Sequence, residues 1–456
     1  MKTPVKIHFL GASGTVTGSK FLLETAEQNI LIDCGLFQGV KELRLLNRQP
    51  LPFSAKDIDC VLLTHGHLDH CGYLPKLVQQ GFKGDIYGTD PSLAIAAVIL
   101  RDSAVIQEEE AKQANEEGYS SHKPALPLYT LEDAERTIKR FNARPVGEWI
   151  AVTENIQYRL QKNGHILGSV FIELEIDGKR FVFSGDIGRE HDLLLEKPNS
   201  PEWADVLVME STYGNRLHPA DDSDSLLIES IQNCITNRGT LIIPSFAVER
   251  LQSLMYKLWD LYNHNKIPDI PIFIDSPMGN EVLNIFTRFA AWHTLSHSEF
   301  TAMKNHFNII THYKDTWKTI DDPRPKVIIA GSGMVTGGRV LTYLRYYLDR
   351  PETTVLLAGY QAEGTRGRQL QEGAHEIKLQ GKYIPVKAQV KTLQSLSAHA
   401  DQGELLAWMK PIKNVPEHIF LVHGEPTALD SLRVKIHDTY GYKATIPHLN
   451  EVFTIS

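Results

Sequence analysis

Thr64-His65-Gly66-His67-Leu68-Asp69-His70 is the stretch on which the reading of this chain turns. Three imidazoles and one carboxylate fall within six positions, directly after the apolar run at residues 60–63. Such a run predicts a buried strand, and functional side chains concentrate where buried strands end in loops. Extended residues two apart point the same way, so His65 and His67 can grip one ion together. Where the chain then turns, Asp69 and His70 face a neighbouring ion. Imidazole with carboxylate suits zinc and admits manganese or iron. A solvated histidine-rich loop is the alternative. It is disfavoured because the stretch has no low-complexity bias and because matching partners occur downstream. His165 lies in Gly164-His165-Ile166-Leu167-Gly168-Ser169, Asp186 in Ser184-Gly185-Asp186-Ile187-Gly188, and His423 in Val422-His423-Gly424-Glu425. Each is a ligand-type residue in a glycine-flanked loop beside a strand. Together with the first stretch they complete seven ligands, which suits two ions with Asp186 as the natural bridge. A pair of ions about 4 Å apart can activate water and neutralise charge on a phosphate under attack.

Outward from this centre, residues 5–10, 21–24 and 30–32 read as short strands, and 92–118 and 126–141 as helices. The acidic run at 108–117 reads as a solvated helix face. A hairpin is expected over 170–176 and 179–184, turning at Asp177-Gly178. Another strand at 206–209 ends at Glu210. From about 212 to 385 helical stretches alternate with apolar runs at 240–243, 272–274, 327–329 and 355–357, which predicts a parallel sheet. A last strand at 419–422 runs into His423.

A chain of 456 residues exceeds what one core usually serves, so two domains are expected. The net charge of -8 argues against a surface coated in basic patches, although a narrow basic groove can sit on an acidic body. Cys34, Cys60, Cys71 and Cys234 form no CxxC pair and no dense framework, which points to a reducing cytosol. No window approaches the roughly 18 apolar residues of a membrane span, and the first residues lack a signal-type apolar stretch. The expectation is a cytoplasmic protein with no membrane partner.

The His-x-His-x-Asp-His stretch, His165 and Asp186 resemble the metallo-β-lactamase superfamily. Asp33, in Leu31-Ile32-Asp33-Cys34-Gly35, resembles its first motif, a carboxylate that supports the metal loop from behind. The middle of the chain narrows the resemblance to the β-CASP nucleases. Glu210 in Glu210-Ser211-Thr212-Tyr213-Gly214 is similar to their motif A, His399 in Ser397-Ala398-His399-Ala400-Asp401 to motif B, and His423 to motif C. Pro244-Ser245-Phe246-Ala247-Val248, the glycine-rich run 331–339, Gly359-Tyr360-Gln361 and Gly364-Thr365-Arg366-Gly367-Arg368 match further stretches in family order. Within the family the chain most resembles prokaryotic relatives of the endonuclease subunit of the cleavage and polyadenylation specificity factor, without an N-terminal KH module or the C-terminal extension of RNase J.

The resemblance implies an α/β architecture. An αββα metallo-β-lactamase sandwich over 1–210 and 386–456 would be interrupted by an α/β β-CASP domain over 211–385, with RNA entering between the two. It implies one zinc on His65, His67 and His165, a second on Asp69, His70 and His423, and Asp186 bridging, with Mn2+ as an alternative metal. Asp69, Glu210 and His399 would be catalytic: His399 protonates the leaving oxygen and Glu210 orients or tunes it. Ser245, Ser332, Gly333, Arg339, Arg366 and Arg368 would contact RNA phosphates, with Arg250 and Gln252 as weaker candidates. The glycine-rich run fits neither GxGxxG nor the Walker pattern, which disfavours a nucleotide cofactor. The implied partner is single-stranded RNA, cut mainly internally with room for 5′ exonuclease action. The family also admits a homodimer. Competing expectations are a small-molecule hydrolase of thioesters or lactams, a DNA nuclease of the same family, and a non-catalytic RNA-binding protein. His423 at motif C favours RNA over DNA, and His399 and the inserted region argue against a small-molecule substrate.

Overall fold

Strand Cys60–Leu62 is buried at every position, which a strand tolerates only when both its faces are covered and its ladder is paired on both sides. In the computed structural model, which describes residues 4–117, 123–219, 223–393 and 395–456, it runs parallel to Asn29–Ile32 on one side and Asp85–Gly88 on the other. The chain divides into two units, Met1–Leu217 with His399–Ser456, and His218–Ala398.

The first unit holds two seven-stranded sheets. One runs in the order Glu451–Ile455, Val5–Phe9, Phe21–Glu24, Asn29–Ile32, Cys60–Leu62, Asp85–Gly88, Phe141–Ala143. The other runs Ala444–Thr445, His418–Val422, Val206–Glu210, Lys179–Phe183, Val170–Ile176, Ile156–Lys162, Ile150–Ala151. Phe9, Ile32 and Leu62 of the first sheet share one core with Ile172, Phe183 and Val208 of the second. Burying each such side chain stabilises the fold by roughly 1.5–3 kcal/mol. The alternating residues point away from this core. On the second sheet Leu207, Met209 and Leu421 pack under Leu405, Trp408 and Leu429 of helices Gln402–Met409 and Pro426–Tyr440. On the first, Leu31 and Val61 are equally buried. Helix Asp90–Glu117 contacts strand Phe141–Ala143 of that sheet, and Leu131–Ile138 packs against both Asp90–Glu117 and Leu74–Gln79. The layers are αββα.

In the second unit strands 308–309, 272–275, 326–330, 240–244, 354–358 and 389–393 form one sheet in that order, every pair parallel. A separate antiparallel pair, Glu376–Leu379 with Lys382–Pro385, completes it. The alternation of helix and apolar run thus gives the parallel sheet it predicts.

The hairpin Val170–Ile176 and Lys179–Phe183 turns at Asp177 (φ 52°) and Gly178 (φ 80°), the two left-handed residues a tight hairpin needs. The expected helix over 126–141 is shorter. It spans Leu131–Ile138, because the Thr130 side chain and Asp133 close a capping box that fixes its start, and Phe141–Ala143 joins the sheet instead. The helix expected over 92–118 begins earlier, as Asp90–Glu117, and its acidic end is mainly exposed; Gly118 lies outside the described residues. The four cysteines are buried and unpaired. No helix among the described residues is long and apolar enough to cross a membrane.

Candidate metal centre

Strand direction gathers the site. Asn29–Ile32 and Cys60–Leu62 run parallel, and their carboxyl ends carry Asp33 and the run His65–His70. Lys179–Phe183, Val206–Glu210 and His418–Val422 are also parallel neighbours, and theirs deliver Asp186, Glu210 and His423. His165 stands in the loop joining antiparallel strands Ile156–Lys162 and Val170–Ile176, at the same edge because Ile172 pairs with Phe183. Close backbone approach keeps the loops in place. A Cβ on Gly35 would lie 1.5 Å from the Asp69 carbonyl oxygen, and one on Gly168 (φ 86°) 2.5 Å from the Ser92 nitrogen.

Two groups of ligand atoms match the expected sets, and a third, Asp186, Glu210 and His423, overlaps them. In the first, His65 Nε2 lies 3.1 Å from His67 Nδ1, and His165 Nε2 lies 3.2 Å from the same atom. Asp186 Oδ2 is 3.5 Å from both His65 Nε2 and His165 Nε2. In the second, His423 Nε2 is 3.3 Å from His70 Nε2 and 3.3 Å from Asp69 Oδ2. Asp186 Oδ1 is 3.2 Å from His70 Nε2. The two oxygens of one carboxylate therefore address the two groups separately. His65, His70, His165, Asp186 and His423 are buried, while His67 and Asp69 are partly exposed.

These distances fit a metal better than a hydrogen-bond network. A tetrahedral ion bound at about 2.0–2.1 Å has donor–donor edges of about 3.3–3.4 Å, close to the observed spacings. Each group brings several acceptor-capable atoms to one point, where too few protons exist to satisfy them all. Asp186 Oδ1 is buried with only imidazoles around it, His70 Nε2 at 3.2 Å and His423 Nδ1 at 3.6 Å, so its charge must be met by imidazolium protons or by a cation. Burial drives His65 well below its ordinary pKa and pulls His67 down to about 4, so both present neutral lone pairs. Burial also works against protonating His70, but the Asp186 and Asp33 carboxylates outweigh it and hold its pKa well above the ordinary value. Burial likewise opposes charge on Asp186, yet His423 and His70 keep its carboxyl ionised.

Asp33 lies behind the ligands. Its Oδ1 accepts from the Thr64 amide at 2.8 Å, and its Oδ2 faces Thr64 Oγ1 at 2.8 Å and His70 Nδ1 at 2.7 Å. When a metal displaces the proton of Nε2, the proton kept on Nδ1 by Asp33 fixes the tautomer that leaves the Nε2 lone pair for the ion. Thr64 also touches His65 Nδ1 at 3.1 Å, a role the sequence reading did not assign although Thr64 opens the decisive stretch. Thr212 Oγ1, 3.2 Å from His423 Nδ1, and Ser184 Oγ, which receives the Glu210 amide at 2.9 Å, were missed in the same way.

His399 belongs to this edge as well. Its Nδ1 lies 3.3 Å from Glu210 Oε1 and 4.0 Å from Asp186 Oδ2, and its ring centre is 4.4 Å from that of His165. Burial works against its protonation, but the Glu210 carboxylate beside it raises its pKa above the ordinary imidazole value.

The residues expected to touch phosphate lie in the second unit. Ser245 and the run 331–339 follow neighbouring parallel strands, Thr240–Pro244 and Lys326–Ala330. The Ser332 hydroxyl accepts from the Thr336 and Gly337 amides at 3.1 and 3.2 Å, and a Cβ on Gly333 would lie 2.6 Å from the Phe246 ring. Arg339 donates to Thr316 Oγ1 at 3.0 Å. Arg366 donates to the Thr336 carbonyl at 3.1 Å and the Lys378 carbonyl at 2.6 Å, so its guanidinium braces the glycine-rich loop. Arg368 meets Glu372 at 2.6 Å on an exposed helix face. Gln252 donates to the Ala247 carbonyl at 3.0 Å, and the Arg250 guanidinium packs against Gly359.

Comparison with known proteins bears on this geometry. Residues 14–245 match the metallo-beta-lactamase superfamily, 251–370 the Beta-Casp domain, and 383–447 the Zn-dependent metallo-hydrolase RNA specificity domain. The chain is 33% identical over 430 residues to Ribonuclease TTHA0252 of Thermus thermophilus, covering 92% of this chain and 94% of that protein. It is 31% identical over 448 residues to an RNase J-like protein of Methanocaldococcus jannaschii, covering 97% and 98%. Transcription termination factor FttA of the same organism is 30% identical over 440 residues, covering 92% of this chain and 67% of that factor. A crystal structure of a protein of unknown function from Enterococcus faecalis shares the fold at TM-score 0.56 and 13% identity, covering 99% and 100% of the two chains.

Proposed function

From a chain that belongs to the metallo-β-lactamase superfamily and carries its Beta-Casp and RNA specificity domains, we propose a zinc-dependent ribonuclease. It hydrolyses phosphodiester bonds of single-stranded RNA, mainly internally, with 5′ exonuclease action as a secondary mode. The observation that carries this reading is one buried carboxylate, Asp186, addressing two separate groups of ligand atoms beside a histidine poised on Glu210.

His65, His67 and His165 would hold one ion, Asp69, His70 and His423 the other, with Asp186 between them. Bound there, two zinc ions would acidify water at neutral pH and neutralise charge on the scissile phosphate; Mn2+ could serve in their place. Asp33 keeps the His70 proton on Nδ1, and Thr64 fixes the neighbouring ring. Glu210 holds the His399 proton on Nδ1 and favours the imidazolium, which gives its Nε2 proton to the leaving 3′-oxygen. The products are then a 5′-phosphate and a 3′-hydroxyl. Ser245, Ser332 and Gly333 offer hydroxyl and amide donors to the RNA backbone, with Arg339 and Arg368 adding charge and Arg366 bracing the loop.

The test is a 5′-labelled single-stranded RNA and its DNA counterpart, each incubated with wild type and Asp69→Ala, with and without chelator. Internal RNA cuts that vanish in the variant and with chelator are expected. Cutting of DNA alone would overturn the RNA assignment. No cutting of either by metal-loaded protein would overturn the nuclease reading, and thioesters would become the substrates to try.

A further inference from the structure

In the second unit, helix Tyr313–Asp321 sets Tyr313 and Trp317 four residues apart on one face. Helix Val340–Tyr347 packs beside it in matching register. Tyr313 Oη lies 3.4 Å from Thr342 Oγ1, and the Trp317 ring meets Tyr346 with centroids 5.3 Å apart. Tyr313 and Trp317 are 6.1 Å apart, so the rings form a continuous row. All are exposed: Tyr313 by 48%, Trp317 by 37% and Tyr346 by 38%. A row of aromatic rings held open to water is the kind of surface that marks a recognition site.

Ring geometry and charge select the occupant. Tyr313 and Trp317 meet at 76°, and Trp317 and Tyr346 at 87°, so the rings touch edge to face and do not stack face on face. The Arg339 guanidinium lies 4.5 Å from the centre of the Tyr313 ring. Arg339 directly follows the glycine-rich loop to which phosphate contact is assigned above. The two helices carry Lys314, Lys318 and Arg345 against Asp315 and Asp321, and Arg339 faces Asp275 at 3.9 Å, which leaves a surplus of one positive charge on a chain of net charge -8. Cations tracking a backbone, interleaved with aromatic faces, are what single-stranded nucleic acid binds.

We propose that Tyr313, Trp317 and Tyr346 form a stacking platform for the bases of single-stranded RNA. This deepens the ribonuclease reading and rests on it. The platform reads no sequence, because every base offers a flat face.

The test uses full-length zinc-loaded protein in an Asp69→Ala background, so that RNA binds without being cut. Fluorescence anisotropy is read with a labelled single-stranded oligouridylate and with an abasic ribose-phosphate strand of equal length. Trp317→Ala and the pair Tyr313→Ala/Tyr346→Ala should each weaken RNA roughly five- to 150-fold and leave the abasic strand unchanged. Trp317→Phe should stay near the parent. Melting midpoints and zinc content equal to the parent's guard against misfolding. Parent-like RNA affinity in the alanine variants, while the parent binds RNA, would overturn the platform and leave the ribonuclease reading standing. Equal losses on RNA and abasic strand would also overturn it, by assigning the effect to charge. So would a lower mass in solution for the alanine variants than for the parent, read by light scattering, with RNA affinity intact, which would make the row a protein interface. Failure of the parent to bind RNA would sink the ribonuclease reading and the platform together.

Discussion

Asp33→Asn isolates the support behind the metal ligands. The substitution keeps size and shape, and asparagine is among the few residues that accept the left-handed backbone observed at Asp33 (φ 56°). What changes is the pattern of donors and acceptors. The carboxylate accepts from the Thr64 amide at 2.8 Å and faces His70 Nδ1 at 2.7 Å. An amide has one acceptor oxygen. If that oxygen stays on Thr64, the amide nitrogen points at His70 Nδ1, which must then accept. The ring proton moves to Nε2, the atom 3.3 Å from His423 Nε2 and 3.2 Å from Asp186 Oδ1, and the lone pair meant for the metal is blocked. If the amide flips, it turns a donor toward the Thr64 N–H in a site where Asp33 is 1% exposed. Either arrangement costs about 1–3 kcal/mol, in line with the roughly 10–100-fold loss of metal affinity seen when such supports are removed. Competition titration against a chromophoric chelator, with zinc counted per chain, should find weakened binding at the Asp69–His70–His423 group and near-normal binding at the His65–His67–His165 group. Two sites of wild-type affinity in a folded Asp33→Asn protein would refute the argument that the Asp33–His70 bond sets the tautomer.

Further outcomes follow from other parts of the same unit. His399→Ala should keep its full zinc content and lose about 10²–10⁴-fold in kcat on RNA, read by single-turnover cleavage. Gly35→Ala should lose zinc and melt early, because its Cβ would fall 1.5 Å from the Asp69 carbonyl oxygen and push aside the segment that carries two ligands. Lys20 is buried, donates to the Gly35 carbonyl and lies 4.7 and 4.9 Å from the Phe37 and Tyr73 ring centres. Burial, against a smaller pull from Cys34, lowers its pKa from 10.5 to about 8. The folded state thus binds this proton less readily than the unfolded chain. The resulting deficit, about 3 kcal/mol, is fully present below pH about 8 and fades as pH rises toward about 10.5. Lys20→Met removes it, so the stability gap between variant and wild type, followed by chemical denaturation, should narrow through that window; a gap independent of pH would refute the assignment.

The candidate ligands and Asp33 behind them were legible while the supporting hydroxyls were not, and topology explains the difference. His65, His67, Asp69 and His70 declare themselves because imidazole and carboxylate are rare in so short a span and follow a buried strand. His165, Asp186 and His423 needed only the same rule, a ligand type in a glycine-flanked loop beside a strand. Thr64, Ser184 and Thr212 carry hydroxyls that are common everywhere, and they acquire a role only when the sheets bring them against Asp33, Glu210 and His423. Arg366 looks like a phosphate contact in sequence, yet its nearest partners are carbonyls at Thr336 and Lys378, which no local pattern reveals. The final strand Glu451–Ile455 went unread because only Ile455 in it is fully buried, an edge pattern too weak to register against its neighbours. Spacing in the chain therefore identified which residues could bind metal, but not how His70 meets His423. That follows from parallel strands presenting their carboxyl ends at one edge of each sheet. A change that moved the register of Val206–Glu210 by one residue would turn Glu210 from the His399 side of its strand to the opposite face, with every ligand in the chain left unaltered.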